Sequence, residues 1–179
     1  MLSDTKPATT GFENYFGIGP HWRWFDDSGL GMNSMMTRVR VLPTGDSPED
    51  IMRALRDIDA PDSVVEQTGH GIWKNRIPLM EYLYATLEAN PDIQGVIGYS
   101  EGASLAASLI LDEQQRARIE GRTRQLKCAM FLTGWPPISP DAEAILADES
   151  SVRVDVPTLH VVGANGKSTS LRQFGGNSL

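Results

Sequence analysis

The stretch Gly95-Val96-Ile97-Gly98-Tyr99-Ser100-Glu101-Gly102-Ala103 decides how the chain reads. Gly98 to Gly102 fits the spacing G-x-S-x-G, in which a serine sits on a sharp turn between a strand and a helix. Alone the spacing is a weak signal, because a chain with this many glycines and serines can produce it by chance. Its flanks strengthen it. Val96-Ile97 is a β-branched pair directly before the turn, and Ala103, Ala106, Ala107 and Ile110 follow at helical spacing. Such a turn lifts a hydroxyl above the edge of a sheet. The glycines at 98 and 102 are expected to remove side chains that would collide with the neighbouring strand and helix. The helix N-terminus aims positive partial charge at an oxyanion. Ser100 is then the candidate nucleophile, and the backbone N–H of Glu101 the candidate oxyanion donor. The alternative is an ordinary strand-to-helix turn in which the Ser100 hydroxyl caps the helix.

Outward from the turn, the C-terminal half is regular. Ile77, Met80, Tyr84 and Leu87 share one helical face, ended by Asn90-Pro91. Ile93 to Gly98 is a strand, Lys127 to Thr133 a second, and Thr158 to Gly163 a third, with a short helix expected over Asp141 to Ala147. Strands alternating with helices predict an α/β fold whose mostly parallel sheet is covered on both faces, a three-layer arrangement. Upstream the pattern is looser. Asp46-Ser47-Pro48-Glu49 starts a helix continued by Ile51, Met52, Leu55 and Ile58, and Met35 to Leu42 alternates weakly enough to be a short strand or none. Residues 1–179 read as a single, partial domain without internal repeats.

Composition excludes several classes. Sixteen Lys and Arg against 23 Asp and Glu give a net charge of −7, which argues against a surface that neutralises phosphates, so no nucleic-acid partner is expected. Cys128 is the single cysteine, which excludes an internal disulfide and a multi-cysteine metal site. No metal and no cofactor is expected. The most apolar window, Ala103 to Leu111, is too short for a membrane span, and Met1 to Phe12 has no signal-peptide core. A cytoplasmic protein is the expectation.

A nucleophilic serine needs a base and an orienting acid, in the chain order serine, acid, histidine for this kind of turn. No Asp or Glu follows Asp155 and no histidine follows His160. His160 falls within the third strand, where a half-buried histidine with a hydrogen-bond partner is the ordinary reading. His21 and His70 precede Ser100, against the order.

The chain resembles the fungal FSH-type serine hydrolases, a family with the α/β-hydrolase fold that includes esterases and thioesterases releasing polyketides. Four segments carry the resemblance. They are Glu13 to Phe16 with Gly19 to Asp26, the turn Gly95 to Ala103, Phe131 to Pro137, and Val156 to Asn165. The resemblance implies Ser100 as nucleophile, the Glu101 backbone as oxyanion donor, and an acyl ester or thioester substrate, small or carrier-bound. It also implies a place in fungal secondary metabolism, in polyketide or mycotoxin formation. The family's aspartate falls at Gly166, its histidine beyond Leu179 and its first strand before Met1, so the fold is expected to be truncated at both ends.

Two readings from other classes stand beside this one. The chain could be a non-catalytic remnant that binds an acyl ligand or a partner protein through Trp22, Trp24, Phe25 and Trp135. Gly163-Ala164-Asn165-Gly166-Lys167-Ser168 resembles a phosphate-binding loop of the G-x-N-G-K-S type, so nucleotide binding through Lys167 is the third.

Overall fold

The computed structural model describes Trp24, Glu49, Asp50, Arg53, residues 75–140 and residues 144–162. Five elements run through the two longer segments: α1 (Arg76–Ala89), β1 (Gly95–Tyr99), α2 (Glu101–Glu120), β2 (Cys128–Leu132) and β3 (Thr158–Val161). The strands form one sheet in the order β1-β2-β3, parallel throughout. The register runs Val96 beside Ala129 beside Thr158, and Gly98 beside Phe131 beside His160. Each strand lies within two residues of its sequence expectation, and the architecture is α/β. The expected strand at 35–42, and most of the helix expected from residue 46, lie outside the described residues; Glu49, Asp50 and Arg53 are helical.

The sheet carries α2 on one face. Ala103 to Ile110 are all buried, an unbroken run that a helix shows only when it is enclosed on nearly every side. Ala103, Ala106 and Ala107 are small enough for the helix axis to approach the strands. Leu105, Leu109 and Ile110 fill the remaining space with Leu126, Ala129 and Phe131. The two buried serines are satisfied. Ser104 Oγ donates to the Trp135 carbonyl at 2.9 Å, and Ser108 Oγ donates to the Ser104 carbonyl while accepting the Ile138 N–H, each at 2.8 Å. The buried Glu113 carboxylate accepts the N–H groups of Gln125 (2.6 Å) and Leu126 (3.2 Å), which fixes the chain just before β2.

The expected face of α1 holds in the structure at every position but Ile77. Leu79 and Leu87 are buried and Leu83 packs against the core, an i, i+4, i+8 row, whereas Ile77 is 66% exposed at the edge of that stripe. Met80 and Tyr84 remain on the inner side. Asp112 of α2 joins the two helices by accepting from Arg76 (3.1 Å), Tyr84 (2.8 Å) and Arg116 (2.6 Å). Burial, then the hydrogen bond to Asp112, holds the Tyr84 hydroxyl far above its usual range, so it stays a donor.

One expectation is corrected. Residues 144–147 form no helix: Ala144 makes an antiparallel bridge to Ile138, and the Ile145 N–H donates to the Pro137 carbonyl at 2.8 Å, so a loop pairing takes the bonds a helix would need. The face of the sheet away from α2 presents Ile97 (69% exposed), Tyr99, Leu159 (53%) and Val161. Parallel strands alternate here between a covered and an open side, which is unusual for an all-parallel sheet. No helix among the described residues is long and apolar enough to cross a membrane.

Ile110 has 0% exposure at the centre of this core. Ile110→Ala is expected to lower unfolding free energy by about 2–5 kcal/mol in urea titration. A loss below about 1 kcal/mol would show that α2 is not buried as described.

Candidate active site

The turn after β1 is built by the ladder that precedes it. Ser100 N–H donates to the Leu132 carbonyl at 2.8 Å, extending the β1–β2 pairing one residue past the strand, and its own carbonyl accepts the Ala103 N–H at 3.0 Å to begin α2. The chain therefore passes from sheet to helix at a single residue. That residue has φ 51° and ψ −119°, a conformation natural to glycine and costly for serine, of order 1–3 kcal/mol. Ser100 occupies the position before the first helical residue, yet its hydroxyl makes no capping hydrogen bond. The helix-cap alternative is not what the turn contains. Ser100 is half-buried, and Glu101 opens the first turn of α2.

The glycines explain how the helix can sit so close. A Cβ at Gly98 would lie 2.3 Å from the Gly102 carbonyl oxygen and 2.5 Å from Ala103 Cα, so any side chain there would push α2 off the sheet. Gly134, at the exit of β2, meets Ala103 Cβ in the same way at 2.5 Å. Gly102 is different from its expectation: a Cβ there would find Trp24 Nε1 at 3.6 Å, an ordinary contact. The steric demand falls on 98 and 134.

Three residues around the turn have roles that a reading of the sequence does not give them. Thr133 lies opposite Ser100, one residue past the Tyr99–Leu132 pair, and also has positive φ (47°), which is costly for a β-branched residue. Its N–H donates to the Val161 carbonyl at 2.8 Å. Two adjacent strands thus end on left-handed residues at one sheet edge. The signal was present in Thr133-Gly134, a strand stop followed by Trp135-Pro136-Pro137. The others are Glu101 and Asn75, whose side chains hold the Trp24 main chain from the starts of α2 and α1. No local pattern links residues 77 and 51 positions apart.

Of the remaining candidates, His160 is among the described residues. It lies on β3 with its ring edge-on to Phe131 (centroids 5.1 Å apart) and Nε2 3.2 Å from Thr158 Oγ1, the half-buried structural role expected from sequence. His21, His70, Trp22, Phe25, Gly166 and the 163–168 segment with Lys167 lie outside the described residues. A cavity of about 720 Å³ runs along the second half of α2, lined by Ser108, Leu111, Asp112, Gln115, Ile138 and Val152 among others. Its nearest α2 residue is two turns beyond Ser100, so it is separate from the serine turn.

The family model described as Serine hydrolase (FSH1) matches residues 66–171, more than half of the chain and all three described strands. The chain belongs to the FSH1 serine hydrolase family. Among curated proteins, it is 35% identical over 80 residues to "Hydrolase phiM" of Fungal sp. (strain ATCC 74256), covering 43% of this chain and 38% of that protein. It is 36% identical over 70 residues to "Esterase FUS5" of Gibberella moniliformis (strain M3125 / FGSC 7600), covering 38% of this chain and 24% of that protein. The matched part thus spans well under half the length of these curated relatives. No solved structure matches the chain significantly. In this FSH1-family chain, G-Y-S-E-G is the residue pattern at the serine turn.

Burial lowers the pKa of His160 below the ordinary histidine value. The unfolded chain therefore takes up this proton first as pH falls, and the stability that neutral His160 contributes above about pH 6.5 is lost on acidification. Urea midpoints are expected to fall between pH 7.5 and 5.5, and to fall less in His160→Gln. Equal losses in both proteins would remove His160 from that account.

Proposed function

We propose that the chain is a serine esterase or thioesterase in which Ser100 is the nucleophile and the Glu101 N–H one donor to the oxyanion. The observation that supports this most is the strained, uncapped serine at the strand-to-helix turn. A φ of 51° on a residue that gains no capping bond lowers stability with no local return, and such strain collects where a side chain must be aimed for chemistry. In the proposed reaction Ser100 Oγ attacks an acyl carbonyl carbon and its proton passes to a general base. The C–O or C–S bond to the leaving group breaks, and water then cleaves the acyl-enzyme to free acid and serine. The start of α2 faces the developing negative charge, where backbone N–H groups stabilise it.

The substrate class is an acyl ester or thioester, small or carrier-bound, and the setting is fungal secondary metabolism of the polyketide or mycotoxin kind, in the cytoplasm. The relatives' names, a hydrolase and an esterase, agree in reaction class. The second reading, a non-catalytic acyl-binding protein, draws on His160: the strand histidine is turned to Phe131 and Thr158. Removing a triad member lowers turnover by about four to six powers of ten, so binding would outlast hydrolysis in such a chain.

A fluorophosphonate probe separates the two readings. Covalent labelling of the wild type and none of Ser100→Ala is the expected result. A folded wild type that stays unlabelled would overturn the nucleophile assignment and leave the acyl-binding reading.

A further inference from the structure

We infer that the Glu101 carboxylate is a positioning residue that clamps Trp24 beside the serine turn, where the Trp24 indole forms a wall of the acyl-chain pocket and sets its preference for chain length. The inference rests on the acyl-substrate reading above and deepens it.

The clamp is specific. Trp24 N–H donates to Glu101 Oε1 at 2.7 Å, and the Trp24 carbonyl accepts from Asn75 Nδ2 at 2.9 Å. Both polar groups of one residue's main chain are thus held by side chains at the starts of two helices. Asn75 is the residue before α1, and Glu101 is the first residue of α2. A carboxylate in the first turn of a helix is favoured by the helix dipole, and a bond from a backbone N–H to an ionised acceptor is among the stronger hydrogen bonds. Glu101 also follows Ser100 directly. A carboxylate aimed at the oxyanion would oppose the charge that develops there, and engagement with the Trp24 N–H draws one of its oxygens toward a donor instead.

The indole borders the first turn of α2, beside the serine turn. Its Nε1 and Cδ1 are 3.6 Å and 4.0 Å from the position of a Cβ on Gly102, two residues from Ser100. Trp24 is half-buried and packs against the apolar cluster of α1 and α2, so one side is anchored and the rest remains accessible. On the neighbouring side of the same helical turn, Ser104 Oγ holds the Trp135 carbonyl, and Gly134 rests on Ala103. The start of α2 is therefore flanked by Trp24 and by the Gly134-Trp135 loop. A rigid aromatic surface next to an acyl-accepting hydroxyl favours apolar chains long enough to reach it.

The test uses binding, so it does not depend on turnover. In the Ser100→Ala protein, calorimetry compares the butyryl and octanoyl thioesters of N-acetylcysteamine. The octanoyl ligand is expected to bind more tightly. Trp24→Ala is expected to cut that chain-length advantage by about tenfold, a 1.4 kcal/mol effect. If Trp24→Ala does not fold, Trp24→Val carries the same expectation. Glu101→Ala should reproduce the loss, and Glu101→Gln, which keeps a side-chain oxygen as acceptor, should restore most of the advantage. An unchanged ratio in the Trp24 and Glu101 variants, no octanoyl binding, or Glu101→Gln as impaired as Glu101→Ala would each overturn the inference. Failure of Ser100 as nucleophile shows separately, as absent fluorophosphonate labelling with the binding pattern intact.

Discussion

The strand β1 passes its chain to α2, which lies on the same sheet, in a reversal that falls on the single residue Ser100. The hydrogen bond from Ser100 N–H to the Leu132 carbonyl keeps the residue in the sheet, while its carbonyl already serves α2. Both demands are met at φ 51°. The strain is held because everything around it resists relaxation. Gly98 lets the α2 backbone sit almost on the strand, and Gly134 admits Ala103 from the other side. Beyond them lie eight consecutive buried residues, Ala103 to Ile110. Their burial is worth several times the roughly 1–3 kcal/mol stored in the turn.

The same arrangement orders the rest of the described structure. Close packing of an alanine-rich helix leaves room for two buried serines, whose hydroxyls fasten the loop after β2 through the Trp135 carbonyl and the Ile138 N–H. Glu113 and Asp112, one on each side of α2, tie that helix to the start of β2 and to α1. Gln125 reaches the carbonyls of Leu87, Asn90 and Ile93, so the end of α1 and the approach to β1 are held by one amide. The opposite face of the sheet carries Ile97, Tyr99, Leu159 and Val161 in the open. Burying such a row would stabilise the fold by roughly 25 cal/mol per Å² of apolar surface covered.

Local chemistry made the fold legible where one force dominated. Short apolar runs, β-branched in the first and third, located the three described strands, and alanines at helical spacing located α2, because burial and breakers agreed there. On α1 the expected positions Met80, Tyr84 and Leu87 do face the core, and only Ile77, as apolar as Leu79 but at the edge of the buried stripe, does not. Residues 144–147 were misread because the Ile145 N–H finds its acceptor at Pro137, a loop partner that no helical period reveals. At the site, Ser100 and Gly98 were legible from a spacing of five residues. Thr133 and the Glu101–Trp24–Asn75 clamp were not, since they depend on strand register and on contacts across 51 and 77 positions.

Strain at residue 100 is open to direct measurement, because glycine and alanine respond to it with opposite sign. At an ordinary backbone position alanine is the more stabilising of the two, by roughly 0.5–1 kcal/mol. With the backbone held at φ 51°, the order inverts. Chemical denaturation of Ser100→Gly and Ser100→Ala is expected to find the glycine protein more stable by about 1 kcal/mol. An alanine protein as stable as the glycine protein, or more so, would mean that the turn is relaxed and that no hydroxyl is being held in a position of attack.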